Sequence, residues 1–183
     1  MTIENLIKVL PPPVAPVSAF SGPWEPIEAE LGTSLPQDYK DFCRLYGLGH
    51  LIEFFGLYAP VSRSPHRRLV RSVRIMRYLF SYAEPPPPLW PARGGLLACG
   101  QTDNGDQLFW LTRGHLPEWP IVVWDRGLQA FETFECDITD FIAGVISGDI
   151  RPEAFPDDVE EWLEGAEPFR QTPDDWSEPP SSP

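Results

Sequence analysis

The chain has 183 residues, enough for one domain of ordinary size, and its 14 basic and 27 acidic residues give a net charge of −13. This excess disfavours nucleic-acid binding by the whole chain, because phosphate contacts need a positive potential, and it suits a basic partner. Cys43, Cys99 and Cys136 are too widely spaced for a disulfide framework or a zinc site. With no membrane-length apolar run and no secretory signal pattern, we expect a cytoplasmic protein.

The N-terminal third predicts an arm followed by two helices and a strand. Residues 1–22 read as a lead-in arm, because a short apolar stretch gives way to proline, serine and glycine. A first helix is expected near Pro26, and a second begins at Pro36 and stops at Gly47. The apolar 51–58 run predicts one strand. The second helix has the 0, 3, 4, 7 spacing of a buried face at Tyr39, Phe42, Cys43 and Tyr46.

Residues 67–82 predict an amphipathic helix with one apolar stripe and one arginine stripe. The arginine stripe is a solvated face, a docking site for the acidic 157–164 segment, or a contact for an acidic partner or RNA. The prolines at 85–88 end the helix and read as a connector or as a ligand for a proline-binding domain. The apolar stripe comprises Leu69, Val73, Met76 and Phe80, and the arginine stripe comprises Arg67, Arg71, Arg74 and Arg77.

Four strands and a helix are predicted next, over 95–100, 107–112, 121–125 and 130–135, with the helix capped by Asp137. The Asn104-Gly105 pair indicates a tight hairpin turn. Strands joined by short turns, with helices on either side in the chain, favour an α+β fold: one domain with a mostly antiparallel or mixed central sheet flanked by helices. We place the domain at 23–151, an acidic helical extension at 152–167 and a disordered, proline- and acid-rich tail at 168–183, in which Trp176 is a candidate for docking.

The sequence shows no assembled catalytic or metal-binding constellation. His50, His66 and His115 have no second ligand at metal spacing, and no nucleophile or phosphate-binding motif is present. Paired carboxylates such as Glu132 and Glu135 fit a solvated strand edge better than acid–base chemistry. We therefore expect neither enzymatic activity nor a cofactor.

Several blocks of residues together resemble the SUKH superfamily, which includes fungal cell-wall regulators and many bacterial immunity proteins. The blocks run in order over roughly residues 20–150: Trp24, Ile27, Glu28, Leu31 and Gly32; Leu35-Pro36-x-Asp38-Tyr39-Lys40-x-Phe42; Tyr46-Gly47-x-Gly49; Leu96-Leu97-Ala98 with Leu108-x-Trp110; 121–125; and Asp140-Phe141-Ile142. The resemblance implies a central sheet flanked by helices, no catalysis, and most often neutralisation of a polymorphic toxin by tight binding. The arginine-rich helix, the proline run and the acidic tail depart from the pattern.

The resulting hypothesis is an immunity protein that binds a cognate toxin, with a nuclease as one candidate because nuclease clefts are basic. The alternatives are a regulatory or scaffold module without a toxin partner, and an enzyme of unrecognised type. Asp103 and Asp106 are either turn residues alone or an exposed acidic contact. The candidate partner-binding residues are Asp103, Asp106, Glu132, Glu135, Asp157, Asp158, Glu160 and Glu161.

Overall fold

The structure, a computed structural model, describes residues 3–83, 85–114, 116, 119–156 and 167–172. The helices are α1 (Glu4–Val9), α2 (Glu25–Leu31), α3 (Gln37–Leu45), α4 (Leu69–Phe80) and α5 (Ile138–Ser147), with a short 3-10 turn at Pro65–Arg67. The strands are β1 (Gly49–Leu51), β2 (Phe55–Leu57), β3 (Leu96–Thr102), β4 (Gln107–Leu111), β5 (Ile121–Asp125), β6 (Ala130–Phe134) and β7 (Phe169–Gln171).

The described strands form one antiparallel sheet in the order β6-β5-β4-β3-β2-β1-β7. Neighbours in sequence are neighbours in the sheet from β1 to β6. Short turns join β1 to β2 and β3 to β4, whereas the connection from β2 to β3 contains α4. The hairpin predicted at Asn104-Gly105 joins β3 to β4, and Gly105 has the positive φ of 90° that such a turn needs. The predicted α+β class and single domain are confirmed.

Helices cover both faces of the sheet. Phe80 of α4 contacts Phe109 and Trp124, which share one face by the β4–β5 register. Phe141 of α5 contacts Phe55 on the opposite face. We call these the α4 face and the α5 face. The central strands β3, β4 and β5 are consequently apolar at successive positions, since both of their faces are buried.

The predicted N-terminal arm contains a helix that is part of the core. Leu6 of α1 is fully buried, and the Asn5 side-chain amide donates to the Asp140 carboxylate of α5 at 2.9 Å. The hydroxyl of Tyr46, the residue that follows α3, donates to the Leu10 carbonyl at 2.5 Å. The arm therefore packs against the helices on the α5 face. Its six-residue helix was missed because so short a segment shows less than two turns of periodicity.

The expectation of one strand over residues 51–58 is wrong. The segment is a tight hairpin in which Leu51 of β1 pairs with Phe55 of β2. Ile52 and Glu53 adopt positive φ angles of 48° and 53°, which is unusual for residues with a Cβ. No turn-forming residue marks the reversal, so the sequence pattern gave no signal for it.

The prediction of disorder over 168–183 is wrong for residues 169–171, which form β7 and pair with β1, and residues 173–183, with Trp176, lie outside the described residues. Phe169 is buried and contacts the rings of Phe42 and Tyr46. Its ring lies where a side chain at Gly49 would stand: a Cβ there would be 2.2 Å from the Phe169 ring. The strand thus depends on an aromatic anchor and a glycine separated by more than a hundred residues.

None of the helices in the described ranges is long and apolar enough to cross a membrane.

Candidate functional site

The role of Asp106 in the turn between β3 and β4 accounts for this carboxylate without a partner protein. Asp106 is 4% exposed, and its carboxylate accepts hydrogen bonds from the Thr102 hydroxyl at 2.7 Å and the Arg126 backbone amide at 3.0 Å. The expectation that Asp106 contributes to an exposed acidic contact is therefore wrong. Its carboxylate is occupied in holding the hairpin turn against the loop that follows β5.

Asp103, on the same turn, is at the surface with its side chain 58% exposed. One carboxylate oxygen lies 3.0 Å from Nε2 of His50, and its backbone amide donates to the Phe54 carbonyl. Asp103 is thus held beside the β1–β2 hairpin while it still faces solvent. Of the two turn carboxylates, this one is available to a partner.

Glu132 and Glu135 lie on and just after the edge strand β6. Glu132 accepts from the Glu153 backbone amide at 2.8 Å, and Arg113 donates to both carboxylate oxygens of Glu135 at 2.5 and 2.7 Å. Glu135 follows the end of β6 that pairs with the start of β5, whereas Asp103 lies beyond the other end of the sheet. Asp103 and the two glutamates of the β6 edge therefore do not form one patch.

The remaining four candidates, Asp157, Asp158, Glu160 and Glu161, lie outside the described residues, as does the predicted acidic helix. The arginine stripe of α4 is described: Arg71, Arg74 and Arg77 are exposed, and Arg74 pairs with Glu30 of α2 at 2.6 Å. This arrangement favours a solvated helix face that carries one surface ion pair with a neighbouring helix.

A small polar cavity of about 120 Å³ lies on the α4 face beside Asp103. The Tyr58 hydroxyl forms its inner wall, 3.1 Å from Oε1 of Gln101 and 2.8 Å from Oε1 of Gln107. Burial raises the pKa of Tyr58, so its hydroxyl stays a neutral hydrogen-bonding group. Other residues around the cavity include His50, His66, Arg67, Gln101 and Thr172.

A larger apolar groove of about 740 Å³ opens between the end of α4, the proline segment at 85–87 and strands β4 to β6. Leu79, Tyr82 and Phe131 line it and remain 52%, 68% and 44% exposed. Sequence reasoning missed this groove. The available signal was that Leu79 and Tyr82 fall outside the buried stripe of the helix.

The described residues contain no cluster of three or more histidine, cysteine or acidic side chains that could hold a metal ion. The cysteines are free, as expected, with Cys43 and Cys99 buried and Cys136 half-buried. Burial raises the pKa of the Cys43 and Cys136 thiols to about 12, which keeps them protonated at neutral pH. His115 lies outside the described residues.

The Leu35-Pro36-x-Asp38-Tyr39 block has a structural role. Asp38 is buried in the first turn of α3, where one carboxylate oxygen accepts from the Thr139 amide of α5 at 3.3 Å and the other has no partner. Burial and, to a smaller extent, the nearby charge of Asp137 together raise the pKa of Asp38 to about 6. The Tyr39 hydroxyl donates to the Tyr58 carbonyl at 2.5 Å. The block thus joins α3 to both α5 and the sheet.

Comparison with protein families matches residues 24–144, well over half of the chain, to the SMI1 / KNR4 family (SUKH-1). No curated protein and no solved structure gives a significant match. The matched segment begins just before α2 and ends inside α5, so it contains the signature block, the hairpin and strands β1 to β6. The order and spacing of these elements, together with the match, establish that the chain belongs to the SMI1 / KNR4 family (SUKH-1).

Proposed function

We propose that this chain is an immunity-type member of its family, which binds a cognate bacterial toxin domain in the cytoplasm and neutralises it by occlusion. The observation that carries the proposal is the family match over 24–144 in a chain with a net charge of −13. A toxin that acts on nucleic acid has a basic cleft, and an acidic inhibitor is steered toward such a cleft by long-range attraction.

The proposed contacts are the acidic residues that face solvent. Asp103 stands on the β3–β4 turn, and Glu132 and Glu135 lie along the β6 edge at a different part of the sheet. The acidic segment that holds Asp157, Asp158, Glu160 and Glu161 supplies a further proposed surface. Glu135 must exchange its Arg113 partner for a basic group of the toxin, so Asp103 is the better first target for mutation.

The test is co-expression with the toxin domain encoded beside this gene, followed by measurement of binding between the two purified proteins. Rescue of growth and a stable complex are expected. Asp103→Lys should lower the association rate, and the deficit should shrink as salt screens the charges. Glu25→Lys, which changes the net charge equally at an exposed position on α2, is the matched control. Absence of both rescue and complex contradicts the proposal.

A regulatory or scaffold module is the second candidate function, since the family that matches also takes its name from SMI1 and KNR4. The same experiment separates the two candidates. A scaffold module gives no protection against a toxin but captures a reproducible protein partner under the same conditions, and the gene beside it encodes no secreted toxin.

A further inference from the structure

The outer side of β6 is an open sheet edge, since no strand among the described residues pairs with it. The register identifies the backbone groups that point outward. Leu111 donates its amide to the Pro120 carbonyl, so the even-numbered residues of β5 bond to β4 and the odd-numbered residues bond to β6. Phe131 and Thr133 lie opposite even-numbered residues of β5, so their amides and carbonyls point away from the sheet.

The outward amides and carbonyls of Phe131 and Thr133 have no hydrogen-bond partner among the described residues. An edge of this kind is a template to which another extended segment can add as a further strand. Proline, lysine and β-bulges commonly block such addition. β6 has five residues, contains no proline or lysine and pairs with β5 without a bulge, so its edge is open to a strand.

The α4 face beside this edge is apolar. Phe131 contacts the Phe80 ring and borders the apolar groove, to which the exposed Leu79 and Tyr82 also contribute. Arg126 adds a positive charge to the same lining. A strand added to β6 would place alternate side chains on this face, where an apolar side chain is favoured and a basic one is repelled.

The α5 face beside the same edge is acidic. Asp125, Glu132 and Glu153 border a shallow hollow next to β6. Glu132 accepts from the Glu153 backbone amide, and Asp125 accepts from the amides of Gly127 and Leu128. Backbone amides carry no net charge, so these bonds orient the two carboxylates without neutralising them. The other alternate side chains of an added strand would therefore be favoured if they were basic.

We propose that β6 binds an extended segment of the toxin domain as an added strand, in which apolar residues on the α4 face alternate with basic residues on the α5 face. This inference rests on the proposed function and specifies the part of the toxin that makes contact. Successive side chains of a strand point to opposite faces, so one segment reaches both the groove and the carboxylates. Its backbone bonds to the outward groups of Phe131 and Thr133.

Charge favours this occupant over a second copy of the chain. Two antiparallel β6 strands related by a twofold axis would bring both sets of Asp125, Glu132 and Glu153 to the same face of the joint sheet. β6 itself has no basic residue to offset them, and each copy carries a net charge of −13. Like charges oppose that pairing, whereas a basic segment is attracted to the edge.

Hydrogen exchange of the full chain, followed by NMR, reads the proposed pairing directly, because an added strand protects the Phe131 and Thr133 amides. One probe is the toxin domain encoded beside this gene. The other is a synthetic peptide as long as β6 in which isoleucine and lysine alternate. Each probe should slow exchange of both amides by about tenfold or more. A peptide of the same composition, with its isoleucines grouped ahead of its lysines, should leave both amides unprotected.

Substitutions separate backbone pairing from charge. Thr133→Pro removes an outward donor and leaves the bonds to β5 in place, which an edge strand tolerates, and it should weaken binding of either probe by about tenfold or more. Thr133→Ala keeps the amide and is the matched control. Glu153→Lys should weaken binding of the alternating peptide, and the deficit should shrink at high salt. Thermal unfolding of each variant checks that the domain remains folded.

A toxin complex that leaves both amides unprotected overturns the inference while the proposed function stands. Binding that Thr133→Pro and Thr133→Ala affect alike also overturns it. If no toxin complex forms, the proposed function fails and the alternating peptide decides the inference. Protection of both amides by this peptide then supports β6 as a strand-binding edge, and protection of neither overturns it. Protection that exists in the chain alone and disappears on dilution overturns it in favour of a second copy.

Discussion

Replacing Asp38 by asparagine should stabilise the protein at neutral pH, and the gain should shrink as the pH falls. The Asp38 carboxylate is buried, one of its oxygens has no partner, and its pKa is raised to about 6 from the usual 3.8. Because the folded-state pKa lies above the unfolded value, this group destabilises the fold once it ionises. The stability that the folded chain gains from protonated Asp38 is fully present below about pH 3.8 and is lost as the pH rises through about 6, where the folded-state carboxyl ionises.

The magnitude follows from the pKa difference. A shift from 3.8 to about 6 corresponds to a cost of about 3 kcal/mol above pH 7, at about 1.4 kcal/mol per unit. At about pH 5 the same linkage relation gives about 1.6 kcal/mol, because folded Asp38 is then mostly protonated. The free energy of unfolding of Asp38→Asn minus that of the unaltered protein should therefore be larger at about pH 7.5 than at about pH 5, by about 1.4 kcal/mol.

Urea unfolding of both proteins at the two pH values measures this difference. The contributions of all other titrating groups cancel, because they are the same in Asp38→Asn and in the unaltered protein. Asp41→Asn removes the same charge from the surface of the same helix and controls for the change in net charge. A gain from Asp38→Asn that is equal at both pH values would refute the argument, because Asp38 would then titrate alike in the folded and unfolded chains. A ¹³C titration of the Asp38 carboxyl, with a midpoint near 4, would refute it directly.

Three further predictions concern stability and can be measured by chemical unfolding. Asp137 accepts from the Asp140 amide as the N-cap of α5, so Asp137→Ala should cost about 1 kcal/mol alone. Asp137→Ala should cost more in the Asp38→Asn background, because in the unaltered chain the loss of the Asp137 charge also relieves its repulsion with Asp38. Equal costs of Asp137→Ala in the two backgrounds would contradict this coupling. Gly49→Ala should cost about 1–3 kcal/mol, because its Cβ meets the Phe169 ring; an unchanged midpoint would show that β7 is dispensable. Tyr58→Phe should cost about 1–3 kcal/mol by leaving the amide oxygen of the buried Gln107 without its hydroxyl donor, and a neutral effect would mean that water replaces the hydroxyl.

Local patterns in the sequence were sufficient for most of the elements. The buried faces of α3 and α4 follow from apolar spacing, because one side of a helix meets the core every three to four residues. The β3–β4 turn follows from Asn104-Gly105, and β5 and the Asp137 cap were predicted at the positions where they occur. These features depend on residues close together in the chain, so a short window contains the necessary information.

The locations of the acidic candidates could not be predicted in the same way. Asp103 and Asp106 have the same residue type, three positions apart in one turn, yet one faces solvent and the other is buried. The difference arises because the Arg126 amide, twenty positions away, points at Asp106. A carboxylate is buried where the fold supplies donors, and sequence composition cannot say where those donors converge.

By itself, the sequence determined the fold class, the family resemblance, the large negative charge and the main helices and strands. Tertiary structure alone decided that α1 and β7 belong to the core, that Ile52 and Glu53 reverse the chain, and that an apolar groove opens beside α4. It also buried Asp38 against the Thr139 amide, 101 positions further along the chain. The physical reason is common to these features: each depends on groups that are distant in sequence and become neighbours only when the sheet and its two helical layers assemble.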